Sequence, residues 1–177
     1  MTTAEYLQTS ETVLPRELAF GVLRAADAPT ISHQRVVGEL FLGLTRHVRE
    51  RRLGEVLIAP VDIVLDADAD LVVQPDLLFI SHDRSHLVGD RVFGAPDITV
   101  EVLSPYPRIG RIEEKVGWYA RYGVRECWLV SQTKKEIAIL TLADGTVAAR
   151  ALFARGRRIT SEILGELDLQ PISVFGW

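Results

Sequence analysis

Cys127 is the chain's single cysteine, so neither an internal disulfide nor a cysteine-based metal centre is available to it. No apolar run approaches the roughly 20 residues that a membrane-spanning helix needs. Internal repeats and low-complexity tracts are also missing. The opening MTTAEYLQTSETVLP lacks the basic and apolar regions of a signal peptide, and the expectation is a cytoplasmic protein. Nor is there an excess of positive charge: 20 Lys+Arg stand against 24 Asp+Glu, a net of -4. Phosphate neutralisation supplies most non-specific duplex affinity, so this balance counts against abundant, sequence-blind DNA coating. It does not exclude a local basic groove.

What is present is enough for a core. The 177 residues are 47% hydrophobic and 25% charged, with a mean hydropathy of +0.14. A chain this apolar gains more by burial than it loses in conformational entropy, and its length matches one domain spanning residues 1–177.

Along the chain, residues 1–16 read as a frayed start closed by Pro15, and 17–25 as a short hairpin or bulge about Gly21. Helical spacing of Val36, Val37, Leu40, Phe41, Leu44 and Val48 predicts an amphipathic helix over 32–52, capped by Ser32 and ended by Gly54. Its terminal Arg46, Arg49, Arg51 and Arg52 read as a solvated helix end. Two strands are expected at 56–65, bent at Pro60, and at 71–80, then a long polar connection over 81–95. A strand at 96–104, a helix at 111–123 ending on Gly123, and strands at 126–130 and 136–142 follow. Mixed strands with two helices predict a helix-covered sheet, α/β or α+β.

Three charged residues sit where this pattern calls for apolar ones. In ITVEVL, Ile98, Val100 and Val102 share one face while Thr99, Glu101 and Leu103 share the other. Both faces are otherwise apolar, so the strand is central, and a buried Glu101 must meet a cation, a metal or a donor. Asp76 poses the same question at the start of DLLFI, since aspartate is disfavoured in strands. In the second helix, Lys115 joins Ile112, Val116 and Tyr119 on the inward stripe. Glu101 needs a cation and Lys115 an anion. Two carboxylates can hold Mg²⁺ or Mn²⁺ through hard oxygen ligands, and a lysine beside them can place a water and offset charge on a phosphate.

The motifs QPDLLF (74–79), PDITVEVLSP (96–105) and K-x3-Y-x3-GV-x2-CWLV (115–130) resemble those of the Uma2 family of restriction-endonuclease-like proteins, within the PD-(D/E)XK nuclease superfamily. ELAFGVL, His33-Gln34, IAPVDIVL and ILGELDL are similar to further family segments, so the resemblance covers nearly the whole chain. It implies a restriction-endonuclease-like α/β fold, a mixed β-sheet core flanked by helices. It further implies a metal-dependent nuclease acting on nucleic acid, DNA above all, with Mg²⁺ or Mn²⁺ as cofactor and a homodimer as the expected assembly. Pro75-Asp76 match the PD motif and Glu101 its acidic position. The superfamily's usual lysine would fall at Leu103 and is replaced by Lys115 on the next helix. Glu17 matches an N-terminal glutamate that can add a metal contact.

The sequence departs from the family pattern at Phe20, where an aspartate is usual, and at Tyr106, Pro107 and Arg111. Arg108 and Arg111 with Lys115 make the 103–125 segment locally basic, the candidate phosphate-facing surface. The rival reading is a fold-retaining module that binds or assembles without catalysis. His82 and His86 lack a third metal ligand nearby, and Cys127 and Trp128 read as core.

Overall fold

The computed structural model describes residues 1–9, 15–25, 28–104 and 112–176. Arg108, Arg111, Tyr106 and Pro107 lie outside the described residues.

Two sheets and two long helices form the framework. Strands β3 (Gly54–Ile58), β6 (Leu77–Ser81), β8 (Ile98–Leu103), β9 (Glu126–Ser131), β10 (Glu136–Ala143) and β11 (Thr146–Ala154) build a six-stranded sheet in the order β11-β10-β9-β8-β6-β3. Only β8 and β9 run parallel in it. The helix α3 (Ile112–Tyr122) lies between those two strands in the chain, as a parallel pair requires. A five-stranded sheet has the order β2-β1-β5-β4-β7, from β1 (Arg16–Ala19), β2 (Val22–Ala25), β4 (Ile63–Asp66), β5 (Leu71–Val73) and β7 (Val92–Phe93).

Strand alternation sets the layers. Leu77, Phe79, Ile98, Val100 and Val102 pack with Val36, Val37, Leu40, Leu44 and Val48 of α2 (Ile31–Arg51). Leu78 and Ile80 point the other way, where they meet Val116, Tyr119 and Ala120 of α3 and Ile63, Leu71 and Val73 of the second sheet. Glu101 therefore lies on the α3 side of the central strand. Trp128 and Cys127, neighbours on β9, divide between the two faces and are both fully buried.

Several elements differ from expectation. The first residues are not frayed: α1 (Thr3–Leu7) carries a capping box between Thr2 and Glu5, and Tyr6 is buried. The cap of α2 is Thr30, whose hydroxyl accepts the His33 N–H at 3.2 Å, whereas Ser32 donates to Gln132. That helix ends on left-handed Arg52, and Gly54 opens β3 instead. Both long apolar runs divide between the sheets. Residues 56–65 supply β3 and then β4, with a cis Ala59–Pro60 peptide between them. Residues 71–80 supply β5 and then β6, separated by Gln74, Pro75 and Asp76. The polar connection after β6 holds a 3₁₀ turn (His82–Leu87) and β7. The hairpin of β1 and β2 about Phe20 and Gly21, by contrast, is as expected.

Two buried acids outside the predicted set fasten the fold. Glu126 accepts from Trp128 Nε1, Ser161 Oγ and the Glu162 N–H at 2.7–2.9 Å, tying the C-terminal segment to β9. Asp97 accepts the Ser81 N–H at 2.8 Å and pairs with Arg125 at 3.0 Å and Arg84 at 3.5 Å. Burial alone would raise the Asp97 pKa, but the Ser81 bonds, Arg125 and Arg84 outweigh it and hold the carboxyl below its ordinary range. A lowered folded pKa means the unfolded chain binds more protons in acid. Asp97 therefore stabilises above the unfolded range, near pH 4, and this contribution is lost as pH falls through the folded value. Asp97→Ala should cost about 2–4 kcal/mol at pH 7, since it strands the Ser81 N–H and two guanidinium groups. Urea midpoints measured from pH 7 to pH 3 should also show a smaller acid-side loss in the variant than in the parent chain.

Candidate active site

Lys115 enters the core from α3 with only 8% of its surface exposed. Its Nζ lies 2.7 Å from Glu17 Oε1 and 2.7 Å from Glu101 Oε1. The two acids come from different sheets, Glu17 from β1 and Glu101 from β8. Tyr119, one turn further along α3, donates its hydroxyl to Glu101 Oε1 at 2.5 Å. Glu17 Oε1 also accepts the Gln74 N–H at 3.0 Å. Among the predicted residues, then, Glu17, Glu101 and Lys115 meet directly.

Asp76 approaches from the linker before β6. Its Oδ2 accepts the Val102 N–H at 2.7 Å, one residue past Glu101 on β8. Its Oδ1 lies 3.3 Å from His33 Nε2 at the start of α2. His33 enters the sequence reading only as part of the His33-Gln34 segment, and its place against Asp76 is one that sequence reasoning missed. Among the described residues its buried Nδ1 has no hydrogen-bond partner. Tyr119 was foreseen as inward-facing, but not as a donor to Glu101.

The electrostatics follow from three carboxylates sharing few cations. Burial, with Asp76 and Glu17 adding to it against the pull of Lys115, pushes the Glu101 carboxyl up to about 7. Burial would strip Lys115 of its proton, but Glu101 and Glu17 outweigh that and hold it well above its ordinary value. Lys115 is thus an ammonium throughout the physiological range. Burial likewise opposes the charged form of His33, and the Asp76 hydrogen bond and charge, the Val102 backbone and Glu101 together raise its pKa. The Tyr119 hydroxyl is raised by burial and then by Glu101 and Glu17, which keeps it a donor.

Among the described residues no three His, Cys, Asp or Glu side chains group closely enough to cage a metal alone. Glu17 is engaged by Lys115 and the Gln74 N–H, Glu101 by Lys115 and Tyr119, and Asp76 by the Val102 N–H and His33. Arg108 and Arg111, the expected phosphate-binding pair, fall outside the described residues.

The central strand β8 of the mixed sheet thus carries Glu101 against Lys115 of the covering helix α3. The sequence profile of the family described as "Uma2: Putative restriction endonuclease" matches residues 3–172, and the chain belongs to that family. Among solved structures, a "putative nuclease belonging to DUF820" from Anabaena variabilis superposes with a TM-score of 0.82 at 18% identity, covering 100% of this chain and 98% of that one. At that identity the likeness is one of fold. No curated protein matches the chain. Among the described residues no helix is long and apolar enough to cross a membrane.

Two outcomes follow from this ionic arrangement. Lys115→Met should cost about 3–5 kcal/mol, because it strands two buried carboxylates. Adding Glu101→Gln should return part of that loss, a coupling that a double-mutant cycle in urea measures. The second concerns pH. A carboxyl raised from 4.5 to about 7 binds protons in the folded state that the unfolded chain has released. Stability should fall as pH rises through that window, by a few kcal/mol in order of magnitude. Glu101→Gln should remove that slope from the urea midpoints between pH 4.5 and pH 7.5.

Proposed function

We propose that this protein is a metal-dependent nuclease that hydrolyses phosphodiester bonds of DNA, with Mg²⁺ or Mn²⁺ at Asp76 and Glu101. The observation that carries the reading is the meeting of Glu17, Glu101 and Lys115 beneath the end of β8, with Asp76 tethered to the same strand at Val102.

The donor set fits a hard cation. Burial drives Glu101 toward protonation, with Asp76 and Glu17 adding to it against the pull of Lys115, and a divalent ion would offset the charge of those carboxylates. Two protein carboxylates suffice for Mg²⁺, which keeps several waters and takes further oxygens from a phosphate. When bound, such an ion lowers the pKa of a coordinated water and stabilises charge on the phosphate under attack.

The remaining work belongs to the chain. Asp76 is oriented by the Val102 N–H and His33. Glu101 is oriented by Tyr119 and Lys115. Lys115, fixed as an ammonium, offers positive charge to a phosphoryl oxygen and holds no lone pair with which to take a proton. Its role in this reading is therefore electrostatic.

Purified protein should nick plasmid DNA with Mg²⁺ or Mn²⁺ and not with EDTA. Asp76→Asn should reduce the rate about 100-fold or more while leaving Lys115 paired. Equal nicking by parent and variant would identify a contaminant and sink the proposal. Calorimetry with Mn²⁺ separates the rival: a folded protein that gives no metal heat is a module that binds without catalysis.

A further inference from the structure

We propose that Phe20, Trp118 and Arg24 form a platform on which one unstacked base of a single-stranded nucleic-acid segment stacks beside the Lys115 site. This rests on the nuclease reading and names the form of substrate that the site takes.

Phe20 and Gly21 are the two central residues of the β1–β2 hairpin, between the paired Ala19 and Val22. Both have positive φ, 49° and 82°. A two-residue turn of this kind favours asparagine, aspartate or glycine, and a bulky aromatic there is strained. The core does not account for the phenylalanine either, since it is 48% exposed. Neither turn chemistry nor burial calls for an aromatic at this point. Such an outlier is where a functional demand is to be sought.

The surroundings indicate what that demand is. The Phe20 ring meets Trp118 at 5.7 Å and 85°, so the two rings do not cover one another. The Arg24 guanidinium lies 5.5 Å from the centre of the same indole. Aromatic rings combined with an arginine are the components that hold single-stranded bases, through stacking and cation–π contact. Bases inside a duplex have both faces covered by their neighbours and cannot use such a platform without leaving the stack.

The platform is joined to the site through both of its elements. Glu17 precedes Phe20 by three residues on β1, and Lys115 precedes Trp118 by one helical turn, about 4.5 Å of rise. These two ionic groups bond each other at 2.7 Å. Arg24 pairs with Glu114 at 3.3 Å, fastening the hairpin to α3 a second time. The turn itself is held, since the Gly21 N–H donates to the Asp70 carbonyl at 3.2 Å. Phe20 is thus presented on a fixed support.

The competing use of this surface is a contact with a second copy, through the exposed Phe20, Val22 and Leu23 of the outermost strand. Binding and assembly read on the whole protein decide between them. In EDTA, where cleavage cannot occur, a 12-nucleotide single strand carrying 2-aminopurine should bind with quenched fluorescence, and the matching duplex should bind without it. Phe20→Asn, at home in a left-handed turn, should weaken single-strand binding roughly 5- to 100-fold, abolish the quenching and leave the melting temperature unreduced. Phe20→Trp should restore both binding and quenching. The proposal is overturned if Phe20→Asn binds and quenches like the parent chain, or if the parent chain binds no single strand. It is equally overturned if the variant loses only a dimer in light scattering and keeps its oligonucleotide affinity. Cleavage with Mg²⁺ is scored separately. Cleavage that persists without stacking leaves the nuclease reading standing, and stacking without cleavage leaves the platform standing alone.

Discussion

The Lys115 ammonium is the constraint on which the rest of the structure depends. Two carboxylates from two separate sheets converge on it at 2.7 Å each, and it rides on the helix that covers both. Apolar contact between the layers is non-directional and tolerates sliding. Three buried charged groups do not, because each loses several kcal/mol of hydration that only close pairing and hydrogen bonds offset. The Tyr119 hydroxyl and the Gln74 N–H complete that pairing. The relative placement of β1, β8 and α3 is therefore specified at one point by ionic geometry, and the apolar clusters on either side fill in around it.

The chain crosses between the two sheets beside that point, and the crossing does positional work. Gln74 donates its backbone N–H to Glu17 and its side-chain N–H to Asp62, and its side-chain oxygen accepts the Arg16 N–H. Pro75 brings no N–H that would need a partner. The Asp76 carbonyl accepts from Ala59 and its carboxylate from Val102. Adjacent residues thus reach the first sheet, the second sheet and the candidate site in turn. Asp62 extends the network outward to Tyr6 and Arg91, so the N-terminal helix and the segment before β7 are registered against the same linker.

How far the sequence discloses this depends on the range of the interaction. Glu101 was legible because strand alternation is local: its neighbours marked both faces as apolar, which left the acid in need of a partner. Lys115 was legible by the same logic at helical period. Glu17 was legible only through the family resemblance; read locally it opens a short strand, and its burial comes from β1 pairing with β5, more than fifty residues away. His33 likewise meets Asp76 only because α2 packs across β6 and β8. The apolar runs at 56–65 and 71–80 read as continuous, since nothing within either run tells that its halves join different sheets. Pro60 and Pro75 mark where each run breaks without showing where the second half goes. The N-terminal helix is different again, because its signal was present: Thr2 and Glu5 have the spacing of a capping box.

Moving the lysine from the strand to the helix changes what the cluster can do. A lysine at position 103 would lie beyond Glu101 on the same strand face and would have no reason to meet Glu17. Placed on α3, Lys115 is tied to both acids and held as a cation by both. It is then a fixed charge, unable to serve as a base, and it neutralises one carboxylate's worth of a cluster that contains Glu17, Asp76 and Glu101. His33, itself raised by Asp76 and its surroundings, compensates at the far side of Asp76 only. Burial, with Asp76 and Glu17 adding to it, then pushes the Glu101 carboxyl into the neutral range against the pull of Lys115.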